Sequence, residues 1–463
     1  MMAELRLDEI AAKTGGLILQ GERSHLFHRF NIDSRQSEPG ELFFAVVAKR
    51  NGHDFIPDAA SKGAQGAVIS REVTRPSRDF ALVRVPDTVE ALQRLAMAVL
   101  RDHPVKVIGI TGSIGKTTTK EFTAKLLSPH FNVLKSEGNF NNRLGLSLSL
   151  LKLNPGHEVA VLEMGTSGPG EIQGLTAIAP PDISVITNIN PVHLESLHSL
   201  KEIAKAKKEI LEGTKRGGLA VLNGDDPMVR KISRDWKGRS ITFGFSPGCD
   251  IKASSIQKKG TKGLEFDLHL GKRKGRVRFP FLYEDYLSNL LAAVGVCQAV
   301  SIPFENIVRE IPRLEPFSKR GSLISLGCRI KLVDDSYNSN PRALEGALKG
   351  LSGLPAKRKV AVLGDMLELG ETEAKLHRRA GEQVAEFGWD ILATIGRLGR
   401  HLAAGAISAG ISKDCVFSFF SSEEAAEKIP SLIREGDLIL VKGSRGIKTE
   451  RVVEKLKEKF GES

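Results

Sequence analysis

The sequence predicts an α/β protein in three parts: a small mixed α/β N-terminal domain, a central parallel-sheet domain carrying a phosphate loop, and a C-terminal open-sheet domain. Three observations predict it. A β-branched run, Val105, Val107, Ile108 and Ile110, turns through Gly112 and Gly115 into Lys116-Thr117-Thr118-Thr119 and a helical pattern. From there to the C-terminus, short apolar runs alternate with helical spacing, the rhythm of doubly wound sheets. Pro303, Pro312 and Pro316 interrupt that rhythm and place a boundary near Arg313 to Lys319.

Taken in order, Leu5 to Lys13 has helical spacing and stops at Gly15-Gly16. Short strands are expected at Leu17 to Leu19, Phe30 to Ile32, Leu42 to Val46, Ala67 to Ile69 and Ala81 to Val85, with a helix near Ile56 to Lys62. Val89 to Arg101 reads as a helix leading into the phosphate-loop strand. Strands then recur at Val133 to Leu134, Val159 to Leu162, Ile183 to Thr187, Leu219 to Leu222 and Ile241 to Phe243. Alternating residues between Ile251 and Phe279 suggest an antiparallel appendage, and Leu287 to Val300 returns to helix. In the last part, strands at Ile330 to Val333, Lys359 to Leu363, Ile391 to Ile395, Val416 to Phe419 and Leu438 to Val441 alternate with helices, giving a Rossmann-like sheet. The expected domains are residues 1–100, 101–315 and 316–463.

A chain of 463 residues with 41% hydrophobic and 26% charged residues can bury about three cores. Its net charge of +12 comes from lysines and arginines scattered along the sequence, with no aromatic-interleaved basic stripe, so no nucleic-acid partner is expected. Four cysteines lie far apart without a C-x-x-C pair, as in a reducing compartment. The N-terminus carries acids and resembles no signal peptide, and no run of about 18 apolar residues is present. A cytoplasmic monomer without a membrane span is the expectation.

Chemistry gathers at predicted strand ends. The glycines of G-S-I-G-K-T let backbone N–H groups converge on phosphate, Lys116 adds a cation, and the Thr117 hydroxyl can ligate Mg²⁺. The loop is shorter than the eight-residue Walker pattern, with Ile110 in place of its first glycine. Glu163 ends a strand where a carboxylate can reach Mg²⁺; taken alone, it reads more readily as a surface acid. His193 follows another strand in T-N-I-N-P-V-H, and a lone His is more often structural. Lys205, Lys207 and Lys208 cluster on a helix, where a solvated face is the plain reading. Asn139, Asn141 and Asn142 form an amide-rich loop. Asn31 to Arg35 and Asn51 to Phe55 set polar residues at strand exits. In the last domain, polar loops leave three strands, at Asp334 to Pro341, Gly364 to Gly370 and Lys442 to Gly446.

Together these motifs resemble the Mur ligase family of peptidoglycan synthesis, over all three domains. T-G-S-I-G-K-T-T-T is similar to that family's short ATP loop, while G-N-F-N-N, D-D-S-Y-N-S-N-P, L-G-D-M-L-E-L-G and V-K-G-S-R are similar to its dipeptide-adding subgroup. The resemblance implies an ATP-dependent ligase in which the γ-phosphoryl group passes to the carboxylate of UDP-N-acetylmuramoyl-tripeptide. The amine of D-alanyl-D-alanine then attacks the acyl phosphate, and closure of the third domain excludes water. It implies ATP contacts at Gly112, Ser113, Gly115, Lys116, Thr117, Thr118, Asn289, Arg320 and Asp335. Ser34, Arg35, Asn51, His53, Asn139, Asn141 and Asn142 would hold the UDP substrate, and Asn338, Asn340, Lys442 and Ser444 the dipeptide. One Mg²⁺ would sit on Thr117 and Glu163, a second on His193 and a carbamylated lysine. The A-K-x-x-I-L register gives that lysine as Lys207, with Lys205 and Lys208 as neighbouring alternatives. Lys116, Lys207, His193 and Arg320 would carry catalysis. One departure is visible: the family's usual His-Asn pair before Asn289 is Asp285-Tyr286 here, leaving Tyr286 to stack on adenine instead. Two other readings stay open, a sister ligase adding a single amino acid and a nucleic-acid-dependent P-loop ATPase.

Overall fold

The computed structural model describes residues 4–191 and 199–462. The chain divides into two compact units. The first comprises Met1–Asn190, Leu200–Phe243 and Ala292–Ser301. It opens with Leu5–Arg6 paired to Leu26–Phe27, then the helix Leu7–Thr14, which ends at Gly15 in the left-handed conformation. The expected helix therefore starts two residues late, because Leu5 and Arg6 are used as strand. Strands Arg29–Asn31, Glu41–Phe44, Gly66–Ile69 and Ala81–Arg84 lie parallel in that order, with Leu17–Gln20 antiparallel on the last. The helix Thr88–Asp102 is capped by the Asp87 carboxylate, which accepts from Val89 and Glu90 N–H, and it buries Leu92, Leu95, Ala96 and Val99.

Six parallel strands follow in the same unit. Their order is Arg239–Gly244, Leu219–Asn223, Ile183–Ile186, Lys106–Thr111, Val159–Glu163 and Val133–Lys135. The phosphate-loop strand is thus interior, flanked by two strands that come later in the chain, and Val107, Ile108 and Ile110 are fully buried. That burial on both faces explains its unbroken apolar run. Chain order reverses beside it, the place where open sheets bind ligands at the carboxyl ends of their strands.

The second unit comprises Pro191–Ser199, Gly244–Leu291 and Ile302–Ser463. The antiparallel appendage is present as Ile251–Lys258, Leu264–Leu270 and Arg273–Phe279, with a bulge between Ser254 and Gln257. A six-stranded sheet follows in the order Ser322–Leu326, Ile330–Asp335, Asp437–Lys442, Arg358–Gly364, Ile391–Ile395 and Val416–Phe419, parallel except for the first strand. Alternate strand residues feed two cores: Ala361, Leu363, Leu438 and Leu440 meet Leu344, Leu348, Val384 and Leu402 on one face, and Val360, Val362, Ile439 and Val441 meet Ala425, Ile429, Val452 and Leu456 on the other.

Two details of this sheet differ from expectation. Ser322–Leu326 was not anticipated, since a half-exposed antiparallel edge needs little hydrophobic signal. The strand Ile330–Asp335 runs on through two aspartates, because Asp335 lies opposite Lys442 and is neutralised by it at 2.7 Å.

Candidate functional site

The phosphate loop is held open from behind. Gly112 has φ +149°, and a Cβ there would fall 1.9 Å from Thr187 Oγ1, so only glycine fits. Gly115, at φ +84°, precedes the helix Lys116–Leu127, whose first-turn amides have no intrahelical acceptor. The loop's outer side is clasped by Thr187-Asn188-Ile189-Asn190. Asn188 Oδ1 accepts from Ile114 N–H at 3.0 Å, Asn188 Nδ2 and Thr187 Oγ1 donate to the Ile114 carbonyl at 2.9 and 2.7 Å, and Ser113 Oγ donates to the Asn190 carbonyl at 2.9 Å. Lys116 Nζ curls back to the carbonyls of Gly112 at 2.9 Å and Ser113 at 3.3 Å. Thr117 is half-buried and Thr118 buried.

Glu163 pairs with Ile110 across the sheet, beside this loop. Its Oε1 accepts from Asn141 Nδ2 at 2.9 Å and its N–H donates to Ser136 Oγ at 3.0 Å, while Oε2 is buried with no partner among the described residues. A buried unpaired carboxylate oxygen costs on the order of 1–3 kcal/mol or more, which a bound cation relieves. Of the three loop amides, Asn141 fixes Glu163, Asn142 caps the helix Arg143–Leu150, and the Asn139 carbonyl closes the turn on Asn141 N–H. The loop's base rests on Lys120, fully buried, which donates to the carbonyls of Ser136 at 2.6 Å and Gly138 at 3.4 Å and pairs with Glu121.

Of the three clustered lysines, Lys205 is exposed, Lys208 reaches Asp235 at 3.1 Å, and Lys207 is 1% exposed. Burial, then the nearby Lys116 charge, pushes the Lys207 ammonium well below the usual lysine range. Its helix, Leu200–Glu212, is tied down by Glu209, whose carboxylate accepts from Gly170 and Gln173 N–H at 2.8 and 2.9 Å. His193 lies outside the described residues.

At the N-terminal end, Ser34-Arg35 and Asn51-His53 follow adjacent parallel strands and so share one edge. Arg35 is exposed and forked onto Asp33 at 2.7 and 2.8 Å. The expected ligand role of His53 meets a different arrangement: Nδ1 donates to Asn51 Oδ1 at 2.8 Å and Nε2 accepts from Ser70 N–H at 2.9 Å. Both ring nitrogens bond within the protein, and burial lowers the ring's pKa from 6.5.

In the second unit the three polar loops meet. Ser444 Oγ accepts from Leu367 N–H at 2.9 Å and donates to the Ser339 carbonyl at 3.3 Å. Lys442 Nζ bridges Asp335 and the Asn338 carbonyl at 3.0 Å, and Asn340 caps the helix Pro341–Ser352. Burial lifts the Asp335 carboxyl above its usual range despite Lys442. Asn289 is buried on the helix Asp285–Ala299. The Tyr286 ring makes a T-shaped contact with Phe281 at 5.6 Å, and its hydroxyl donates to the Arg320 carbonyl at 3.1 Å.

His377 holds the Gly364 to Gly370 loop from within. Fully buried, it accepts at Nε2 from Met366 N–H at 2.9 Å and donates from Nδ1 to the Glu373 carbonyl at 2.7 Å. Burial lowers its pKa from 6.5, outweighing the opposing fields of Asp365 and Glu373, and His401 adds to the lowering. The unfolded ring takes up its proton at a pH where the folded ring stays neutral, so this part of the stability is complete above about pH 6.5 and is lost on acidification. His377→Gln, which can keep both contacts, is expected to flatten the fall of the thermal midpoint between about pH 7 and pH 5.5. Scanning calorimetry across that range measures it.

The sequence profile of the Mur ligase middle domain matches residues 110–297, and that of the Mur ligase glutamate ligase domain matches residues 319–445. The UDP-N-acetylmuramoyl-tripeptide–D-alanyl-D-alanine ligase of Bacillus subtilis is 34% identical over 441 residues, 94% of each chain. That of Escherichia coli is 32% identical over 438 residues, 92% of this chain and 93% of the other. Among solved structures, MurF from Acinetobacter baumannii superposes with a TM-score of 0.90 at 29% identity over 99% of both chains. MurF ligase from Thermotoga maritima in complex with ADP gives 0.80 at 29% identity, over 93% of this chain and 97% of that one.

Proposed function

Because this chain belongs to the Mur ligase family, we propose that it joins D-alanyl-D-alanine to UDP-N-acetylmuramoyl-tripeptide with cleavage of ATP to ADP and phosphate. The carrying observation is the phosphate cradle with the orphaned Glu163 Oε2 at its edge. The dipeptide specificity rests on the named relatives.

In this reading the cradle amides and Lys116 bind the nucleotide phosphates and steady the charge on the γ-phosphoryl group as it moves to the tripeptide carboxylate. The dipeptide amine then attacks the acyl phosphate carbon, forming the amide and releasing phosphate. Glu163, with Thr117, would hold one Mg²⁺, and Lys207, as its carbamate, would hold a second with His193. The unpaired oxygen on Glu163 fits such a cation, and burial shifts Lys207 toward the neutral amine that carbamate formation requires. Magnesium there would supply charge neutralisation at the phosphates. Ser34, Arg35 and the Asn139 to Asn142 loop would take the UDP substrate, and the Ser444–Ser339–Asn338 junction the dipeptide. Residues 1–100, 101–315 and 316–463 would be the UDP-substrate, ATP and dipeptide domains. No described helix is long and apolar enough to cross a membrane, and the four cysteines are free thiols, which fits work in the cytoplasm.

Purified protein with ATP, Mg²⁺ and the UDP-tripeptide is expected to release ADP only when D-alanyl-D-alanine is added. Equal release with a single amino acid would instead favour the sister ligase, and no release would reject the assignment.

A further inference from the structure

We propose that Lys120 is a positioning residue for the cation site at Glu163, an inference that rests on the cation reading of that carboxylate. Every residue it uses lies in the first unit. Lys120 stands one turn behind Lys116 on the helix Lys116–Leu127, and it is fully buried. Packing alone would accept Leu or Met there at least as well, because a desolvated ion must regain from the protein what water gave it. Three acceptors supply it: the Ser136 carbonyl at 2.6 Å, the Gly138 carbonyl at 3.4 Å and Glu121 Oε1 at 3.1 Å. Glu121 is also paired with Lys135, so the carbonyl contacts are what Lys120 adds.

Those carbonyls belong to the segment that orients the Glu163 carboxylate. Ser136 N–H donates to the Val161 carbonyl at 3.1 Å, and Ser136 Oγ accepts from Glu163 N–H at 3.0 Å. Gly138 opens the amide turn at φ +48°, and beyond it Asn141 Nδ2 donates to Glu163 Oε1 at 2.9 Å. Asn141 is itself pinned: its carbonyl accepts from Gly165 N–H at 2.8 Å, and a Cβ on Gly165 would fall 2.8 Å from its side chain. One carboxylate oxygen is thus occupied from the turn that Lys120 holds, and Oε2 is left buried and unpaired among the described residues. A metal ligand is aimed by the groups behind it. Lys120 therefore ties the helix that would receive the phosphates to the carboxylate that would receive their cation, so that the two keep one spacing.

The test compares K120M, which keeps the volume of the stem, with N141A and the double variant. It reads the Kd of a non-hydrolysable ATP analogue across a Mg²⁺ titration and without Mg²⁺, and amide hydrogen exchange over residues 136–142. K120M is expected to raise the half-saturating Mg²⁺ about 10-fold or more, the range for groups that orient a metal ligand, while metal-free analogue binding stays within about twofold. Exchange in K120M should speed up over residues 136–142 and stay parent-like in the strands Lys106–Thr111 and Ile183–Ile186. The loss should not multiply with that of N141A, because both act through the same turn. Parent-like Mg²⁺ dependence, an equal loss of metal-free binding, or multiplicative losses overturn the proposal. If K120M fails to fold, K120Q, whose amide can donate to one of the two carbonyls, decides by the same readouts. Dipeptide-dependent ADP release by the parent tests the ligase reading separately: its absence would defeat that reading, while the Mg²⁺ titration would still decide the role of Lys120.

Discussion

Lys116→Ala is expected to lower kcat for dipeptide-dependent ADP release about 10³-fold, the scale of removing a charge-stabilising donor aimed at a transition state. In the structure Lys116 Nζ donates to carbonyls of its own loop, at Gly112 and Ser113. An anionic phosphate oxygen is a stronger acceptor than either, so the ammonium is expected to exchange partners when nucleotide arrives. The loop does not depend on that side chain for its shape, because Thr187 and Asn188 hold it from the other side. The variant should therefore keep a thermal midpoint close to that of the parent while losing turnover. Lys116→Arg should recover little, since a planar fork on a different stem cannot place one charge at the same point. Activity within tenfold of the parent in the Ala variant would remove Lys116 from the centre of the mechanism.

Lys207→Met is expected to cost at least about 10²-fold in activity, the scale of losing a metal-site group, with the buried stem volume retained. An isolated ammonium at 1% exposure is an expensive group to keep, and burial resolves the cost by favouring the neutral amine. A neutral amine can add carbon dioxide, losing one proton to give a carbamate anion, which turns a cation hostile to Mg²⁺ into an oxygen ligand. The parent should gain the mass of one CO₂ in native mass spectra and regain activity on bicarbonate after decarbamylation. Lys207→Met should show neither response. An unmodified parent that is fully active without bicarbonate would reject the carbamate and leave Lys207 a buried amine with another task.

These residues differ in how far local pattern could reveal them. The interior strand and its phosphate turn were legible because β-branching, glycine and a following helix all act within a dozen residues. Lys207 was set apart from Lys205 and Lys208 only by the register that the family resemblance implies; in the structure it differs from them in being buried. The Thr187-Asn188 clasp was visible as a polar strand exit, but its partners lie more than 70 residues earlier in the chain, so spacing could not announce the bracing role. Lys120 reads in sequence like any helical lysine beside a glutamate; only the fold brings the Ser136 and Gly138 carbonyls to it. Asp335 looked like a strand terminator for the same reason, its neutralising Lys442 being 107 residues away. His53 shows the converse case, a polar residue at a plausible ligand edge whose donors and acceptors the protein itself consumes.

The interior position of Lys106–Thr111 also bears on how the chain is made. Both of its neighbours, Val159–Glu163 and Ile183–Ile186, emerge from the ribosome after it. At roughly 5–20 residues per second, the apolar strand leading into the phosphate loop waits on the order of 4–15 s for its second partner. For that interval a nascent chain carries an unpaired V-x-V-I-x-I segment, the composition that associates most readily with other exposed strands. The strand leading into the phosphate loop is therefore, during synthesis, an apolar segment that a chaperone would shield until its partners emerge.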